Sequence, residues 1–313
     1  MKNPLYNAWH SLWHDPAHFV AAVLYRINGL FPDEMYLRMV YRLECGRRLN
    51  LTVPQRYNEK LQWIKLYYHN PQYTLMADKI RAKEIAATVI GESHIIPTLG
   101  VWKRAEDIDW DSLPEKVVLK TNHDSGNSGV VVINTPEKRH DEAFRRKTIK
   151  RLNASLRKDA FAEGREWPYK NIPRKVFAEQ YVEDATTQDL RDYKFYCIDG
   201  KVVFLFVATE RNIPGEIAKF DYFDRDFKPL DLKMVHPRSK NGVEKPVGFE
   251  QMVELAEQLS HGIPTVRIDL YAANGQIFFG EYTFFPSGGM APFYPDEWDL
   301  RLGEMVKLPE KIV

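Results

Sequence analysis

The sequence predicts a mixed α+β protein, α/β in places, and three observations carry that prediction. Apolar residues recur three and four apart over 58–90 and again over 249–261, the spacing of a buried helix face. Short runs rich in β-branched and aromatic residues alternate with these helices from residue 95 onward. Asp199-Gly200 and Asn274-Gly275 each join two such runs, and this pairing is typical of tight antiparallel hairpins. With 313 residues the chain exceeds one typical domain and has room for two or three packed lobes.

Residues 1–56 read as a helical N-terminal extension, rich in aromatics from Tyr6, Trp9 and Trp13 to Tyr36 and Tyr41. Arg42, Arg47 and Arg48 give it a basic, amphipathic tone; packing on the body is favoured over peripheral docking to a membrane-bound assembly. His10 and His14 share a helix face without a third ligand, which favours packing or surface roles. A second lobe, 57–115, holds the helices ending at Gly91 and an extended run at 95–99. The central lobe, 116–182, combines strands at 117–120, 130–133 and 176–182 with a charged helix over 141–158. The last lobe, 183–313, carries strands at 193–198 and 202–207, a helix over 249–261, and a hairpin of 266–271 with 276–283.

Composition excludes several function classes. A net charge of +1 provides no global field for gathering nucleic acid, so any anion site must be local. Cys45 and Cys197 lie far apart without metal-ligand spacing and read as free thiols in a reducing compartment. The apolar run 19–24 is too short for a signal peptide and is followed by Tyr25-Arg26. No segment approaches the ~20 apolar residues of a membrane span, so the expected location is the cytoplasm.

The last hairpin carries the strongest chemical signal. It places Asp269 on one strand and Glu281 on the other, each flanked by apolar residues. Ionised carboxylates in such surroundings are costly unless a cation compensates. Two hard oxygen donors on facing strands suit Mg²⁺, which takes few protein ligands and keeps water and phosphate for the rest. A solvent-facing pair on an edge hairpin is the plain alternative. Lys120 ends the strand 117–120 and is followed by a donor-rich loop through Gly126 and Gly129, whose backbone could approach phosphate oxygens closely. Glu179 stands near the end of the next strand, where a carboxylate can accept from an adenine amino group while backbone near Tyr181 and Val182 reads the ring edge. Arg165, Trp167 and Lys170, in a segment of two cations and two aromatics, suit a carboxylate or sugar; with His123 and Asp124 they are candidates for the acceptor site, against a lobe brace as the alternative.

The order of these parts resembles the ATP-grasp superfamily of nucleotide-dependent ligases. The nearest resemblance is to its teichuronopeptide-biosynthesis (TupA-like) branch, found among bacterial surface-polysaccharide genes. The strings that carry it run from Tyr57-Asn-Glu-Lys60-Leu-Gln-Trp63 and Ala77-Asp78-Lys79 through Leu119-Lys120-Thr-Asn-His123-Asp124-Ser-Gly126 and Arg165-Glu166-Trp167-Pro-Tyr-Lys170-Asn. Asp192-Tyr-Lys194-Phe, Arg267-Ile-Asp269-Leu-Tyr, Gly280-Glu281-Tyr-Thr283-Phe and Glu297-Trp298-Asp-Leu complete the set, covering about residue 30 to the end.

The resemblance implies an ATP-grasp fold, with the nucleotide between two α+β lobes, and ATP and Mg²⁺ as cofactors. It implies that Lys79 and Lys120 contact the phosphates, that the loop with Ser125, Gly126 and Gly129 folds over them, and that Glu179, Gln180, Tyr181 and Val182 border the adenine. Asp192 matches the ribose position and Lys194 the basic position beside it. Arg267 matches the arginine that steadies the transferring phosphoryl group, with Lys120 and Lys194 as further catalytic cations. Asp269 and Glu281 match the metal carboxylates; Thr283 stands where many relatives have asparagine, and its hydroxyl can ligate the ion or hold its water. The Asn127-Ser128 insertion alters the loop. The implied activity is an ADP-forming carboxylate–amine ligase that joins an amino acid to a surface polysaccharide or its precursor, with a small-molecule or saccharide carboxylate and an amine as substrates. A glycosyltransferase or sugar kinase is the rival, for which Asp107-Ile-Asp109-Trp-Asp111 and Asp224-Arg-Asp226 are the nearest acidic strings; both read as turns. A silent ATP-binding scaffold is disfavoured by the presence of both carboxylates and both lysines.

Overall fold

The computed structural model describes residues 28–124, 126, 128–185, 190–210 and 217–312. The aromatic residues up to Tyr25, the His10/His14 pair, the run 19–24 and Ser125 lie outside the described residues.

Among the described residues the first α-helices are α1 (Asp33–Cys45), α2 (Tyr57–Tyr67), α3 (Gln72–Ala77) and α4 (Lys79–Ile90). In α1 the buried residues Tyr36, Leu37, Val40 and Tyr41 form one stripe, and Gly46 ends the helix in the left-handed region that only glycine enters freely. The start of α2 is held by Glu59, whose carboxylate accepts from the backbone N–H of Gln55 at 2.9 Å and of Arg56 at 3.2 Å. Asp78 caps α4 by accepting from the Ile80 N–H at 3.0 Å.

The central region contains β1 (Thr98–Trp102), β2 (Val117–Thr121), β3 (Val130–Ile133), α5 (Pro136–His140), α6 (Glu142–Leu156), α7 (Ala160–Gly164) and β4 (Val176–Gln180). Its strands form an antiparallel sheet in the order β1-β4-β2-β3. The predicted strand at 95–99 begins instead at Thr98, because Pro97 has no N–H to give to the ladder, while its carbonyl accepts from Gln180 N at 3.0 Å. Val117, Leu119, Val176 and Ala178 turn one face of this sheet onto a small core with Leu152 of α6. Lys120 and Glu179 occupy the other face.

The second sheet follows: β5 (Arg191–Ile198), β6 (Lys201–Thr209), β7 (Lys219–Asp224), α8 (Phe249–Leu259), β8 (Thr265–Ala273), β9 (Gln276–Thr283) and finally α9 (Glu297–Met305). Its order is β7-β6-β5-β8-β9, again antiparallel throughout. Both predicted hairpins are present, with positive φ at Asp199, Gly200, Asn274 and Gly275 as a type I′ turn needs. The edge strand β7 breaks strict alternation at Tyr222-Phe223 and was not among the strands expected from the sequence. The larger core lies between this sheet and helices α1, α2 and α8.

Candidate active site

The register of the second sheet builds the centre of the site. Lys194 on β5 pairs with Asp269 on β8, and Asp269 pairs with Glu281 on β9, so a cation and two carboxylates stand in one row across three strands. The adjacent row holds Arg267 opposite Thr283. A bulge after Asp269 sets this phase, and Gly280 is needed there because a Cβ would lie 2.9 Å from the Asp269 carbonyl oxygen. The solvent-facing alternative fails for Asp269, which is 1% exposed.

Cations satisfy these carboxylates. Arg267 donates from Nε to Asp269 Oδ1 at 2.6 Å and from its terminal nitrogen to Oδ2 at 2.8 Å. That nitrogen also donates to Thr283 Oγ1 at 3.0 Å and lies 3.6 Å from Glu281. Lys194 donates to Asp269 Oδ2 and contacts Asp192 at 2.6 Å. Lys79 Nζ lies 3.5 Å from Glu281 and donates to the Asp124 carbonyl at 2.5 Å, tying the loop after β2 to the second sheet. Burial by itself would raise the pKa of Glu281, but Lys79, Lys194, Arg267 and Lys120 outweigh it and hold the carboxyl at about 2. Burial dominates for Asp269, which sits above the usual aspartate range despite Arg267 and Lys194.

The donor set suits a hard cation shared with phosphate. Glu281 keeps a third of its side chain exposed, whereas Arg267 and Lys194 take up most of the lone-pair capacity of Asp269. No group of three or more His, Cys, Asp or Glu side chains able to hold a metal exists among the described residues. Two carboxylates and a hydroxyl on one face fit Mg²⁺ when a nucleotide supplies further oxygens, because Mg²⁺ is commonly held by one or two carboxylates plus phosphates.

The opposite wall comes from the first sheet and α4. Glu179 is buried and receives Lys83 at 2.7 Å on Oε1 and Lys120 on Oε2. Burial pushes its pKa up, yet these two ammonium groups together keep the carboxyl below the ordinary glutamate range. Gln180 ends the strand and is exposed, while Tyr181, beneath Lys116 at 5.4 Å, and Val182 are half-buried just beyond it.

Asn122, fully buried, joins the loop to α4. Its Nδ2 donates to Asp78 at 2.9 Å and its carbonyl accepts from the Lys79 N–H at 3.0 Å. Asp124 holds the loop's shape, accepting from Ser155 Oγ at 2.7 Å and from Ser128 Oγ. Gly129 is needed for close approach: a Cβ there would meet Thr121 Oγ1 at 2.0 Å. Gly126 has φ +67°, in the left-handed region. His123 is 1% exposed, neither ring nitrogen has a hydrogen-bond partner among the described residues, and burial holds its pKa below the usual histidine value.

Arg165 is engaged in bracing contacts. Its guanidinium pairs with Asp33 at 2.7 Å and lies 4.4 Å from the Tyr36 ring centroid, fastening α7 to α1. Trp167 stacks against Tyr73 at 5.9 Å, and Lys170 is exposed over Phe161. These three residues line a cavity of about 360 Å³ that also reaches Lys65 and His69.

Lys83 and Lys65 are not among the site residues expected from the sequence. Lys83 had a usable signal: it lies four residues after Lys79 and between Ala82 and Ala86, on the face α4 buries. Lys65 likewise sits within the apolar pattern of α2. The acidic strings of the rival reading are turn residues: Asp107, Asp109 and Asp111 are exposed, and Asp224 accepts from the backbone of Asp226 and Lys228.

A family model described as TupA-like ATP-grasp matches residues 59–307. A search of curated proteins finds no match. Similar solved structures include a D-alanine–D-alanine ligase from Bacillus anthracis complexed with ATP, at 15% identity over 67% of this chain and 54% of that one, TM-score 0.38. D-alanyl-alanine synthetase A from Vibrio cholerae is 14% identical over 87% and 66%, TM-score 0.40. The ATP-grasp ligase PsnB with minimal precursor, Mg and ADP is 10% identical over 89% and 65%, TM-score 0.39. The chain thus spans between about half and two thirds of the length of these proteins.

Proposed function

Because the chain belongs to the TupA-like ATP-grasp family, we propose that it is an ADP-forming carboxylate–amine ligase that attaches an amino acid to a bacterial surface polysaccharide or its precursor. The observation that carries this reading is the row of Lys194, Asp269 and Glu281 with Arg267 and Lys79 converging on it. Five cations and four carboxylates line one site, which suits a polyanion and its metal better than a neutral ligand. The polysaccharide half of the reading rests on the TupA-like branch and its setting among surface-polysaccharide genes.

In this reading Lys79 and Lys120 hold the phosphates, and Lys120 exchanges Glu179 for them when nucleotide enters. Lys83 then remains as the counter-ion that keeps Glu179 ionised toward the adenine amino group. Asp192 meets the ribose and Lys194 stands beside it. Arg267 spreads positive charge over the transferring phosphoryl group. Asp269, Glu281 and Thr283 would hold Mg²⁺, which neutralises phosphate charge when bound. Splitting amide formation into two steps replaces oxide, a poor leaving group, with phosphate. Closure of the Gly126 loop would keep water from the acyl phosphate. No described helix is long and apolar enough to cross a membrane; we place the reaction in the cytoplasm, with peripheral contact to membrane polysaccharide machinery.

The test is to identify the diphosphate released when the protein is given ATP, amino acids and acidic saccharides, or nucleotide-sugars. ADP release that needs both a carboxylate and an amine supports the ligase; a nucleoside diphosphate from a sugar donor establishes the rival. ATP at 100 times its dissociation constant should also stabilise the fold by ~2.7 kcal/mol.

A further inference from the structure

The cavity of about 360 Å³ beside the end of α2 is lined by none of the phosphate or metal residues. Lys65, Arg165 and Lys170 bring three cations to its wall, and Asp33 is the one carboxylate among the lining residues. Asp33 is spent on Arg165, at 2.7 Å. Lys170 is exposed, lies over the Phe161 ring and makes no ion pair among the described residues. The lining therefore carries more positive charge than its own carboxylate answers.

Two of these cations are built into the fold. Lys65 is 2% exposed, and a buried cation ordinarily has an anion against it. An ammonium has three donors; Lys65 Nζ gives one to the Gly288 carbonyl at 2.6 Å and one to the Gly164 carbonyl at 2.7 Å. No carboxylate forms an ion pair with it among the described residues, and Glu166 acts on it only from farther off. Arg165 is 5% exposed and is fixed by Asp33 and the Tyr36 ring. The positive wall is thus preformed.

The rest of the lining is amphipathic. Phe161, Trp167 and Leu66 offer apolar surface, while Thr74 and Asn171 carry a hydroxyl and an amide. His69 gives its Nε2–H to the Lys65 carbonyl at 2.9 Å, because a carbonyl only accepts, so Nδ1 of the neutral ring is left to accept from a hydroxyl. The indole Nε1 of Trp167 is shielded from water and donates to nothing among the described residues. The Tyr73 ring stacks 5.9 Å from Trp167 and 4.1 Å from Phe284, the residue after Thr283. Stacked rings therefore join the cavity wall to the end of the metal strand β9.

We propose that this cavity is a docking subsite for an acidic sugar unit of the acceptor, whose carboxylate meets Lys170 within the positive field of Lys65 and Arg165. As part of an acceptor site it rests on the ligase reading. Its volume lies near the lower end of the ~300–1,000 Å³ of small-molecule pockets, which suits one sugar-sized unit. Apolar walls match the faces of a pyranose ring, and the hydroxyl, amide and imidazole groups match its hydroxyls; a bare inorganic anion would use neither. Since no metal residue lines the cavity, the unit held there flanks the one that reacts.

The experiment is calorimetric titration of the full chain with glucuronate, glucose and inorganic sulfate. Glucuronate should bind at least ~10-fold more tightly than glucose, which lacks the carboxylate, or sulfate, which lacks the ring. Lys170→Ala should weaken glucuronate binding ~10-fold, the worth of one charge-assisted hydrogen bond, while Lys150→Ala, on the exposed face of α6, leaves it unchanged. A non-hydrolysable ATP analogue should leave the glucuronate affinity as it was. No glucuronate binding by the wild type at millimolar concentration overturns the proposal, as does an equal response of the two lysine variants. Sulfate binding as tightly as glucuronate makes the cavity a bare anion site, and displacement of glucuronate by the analogue puts it on the phosphate cations; either result also overturns it. The ligase reading is separable. Lys170-dependent glucuronate binding without any uronate-dependent ADP release removes the ligase and leaves an acidic-sugar site. ADP release driven by a uronate disaccharide, with a KM that Lys170→Ala does not raise, keeps the ligase and removes the subsite.

Discussion

Replacing Lys83 by methionine removes one of the two ammonium groups on Glu179 at nearly constant volume. The pair is buried, with side-chain exposures of 7% and 9% and a separation of 2.7 Å. Deleting one partner of a buried pair costs ~3–5 kcal/mol when the other charge is left alone. Glu179 keeps Lys120, so the expected loss falls to that of one charge-assisted hydrogen bond, ~1.5–3 kcal/mol. Burial lowers the pKa of Lys83 against the pull of Glu179, which moves the expectation toward the smaller figure. The assay is urea unfolding without nucleotide, with Glu179→Gln and the double variant closing a cycle; a coupling of at least ~1 kcal/mol is expected. The carboxyl of Glu179 is held below its ordinary range, with burial opposing and the two lysines prevailing. Its contribution is therefore complete above the unfolded-state value of about 4.3 and is lost as pH falls through the lower folded value. The gap between wild type and variant should close in that acid window. ATP affinity should fall ~10-fold, or ~1.4 kcal/mol, and GTP, which lacks the 6-amino group, should respond less. A stability change within ~0.5 kcal/mol at pH 7, or a gap that persists after Glu179 is protonated, would refute the reasoning.

Glu281→Gln and Asp269→Asn should each lower turnover by ~10²–10³ while leaving the far-ultraviolet circular dichroism unchanged, since each removes one preorganised electrostatic contact; near-normal ATP consumption in both would remove the metal assignment. Lys120→Ala should raise the ATP dissociation constant, whereas Lys150→Ala, on the exposed face of α6, should not; calorimetric titration separates a phosphate contact from a solvated charge. Gly303→Ala would place a methyl 2.0 Å from the Gln55 carbonyl oxygen and 2.8 Å from the backbone of Arg56 and Tyr57. Backbone yields little, so the melting temperature should fall by the equivalent of ~3 kcal/mol; an unchanged melt would mean that α9 can move off the start of α2.

The sequence by itself determined whatever is settled between near neighbours along the chain. The two Gly-containing turns determined both hairpins and put Asp269 and Glu281 on neighbouring strands, but the register running out from Asn274-Gly275 would set Asp269 opposite Gly280, and only the bulge after Asp269 brings it opposite Glu281. The order of lysine, loop and strand-end glutamate was likewise readable as ordered parts. What those parts touch was decided only by the tertiary structure. Lys83 and Lys120 meet Glu179 across 96 and 59 residues of sequence, and Lys65 joins Gly164 to Gly288 across 99 and 223. Such contacts depend on how two sheets and a helix pack, and local periodicity does not encode that. Arg165 shows the same limit: its residue type suits a carboxylate substrate, but packing brings Asp33 and Tyr36 to it first. Buried charge must find compensation inside the fold, and the partner it finds is set by which elements the hydrophobic core has already brought together.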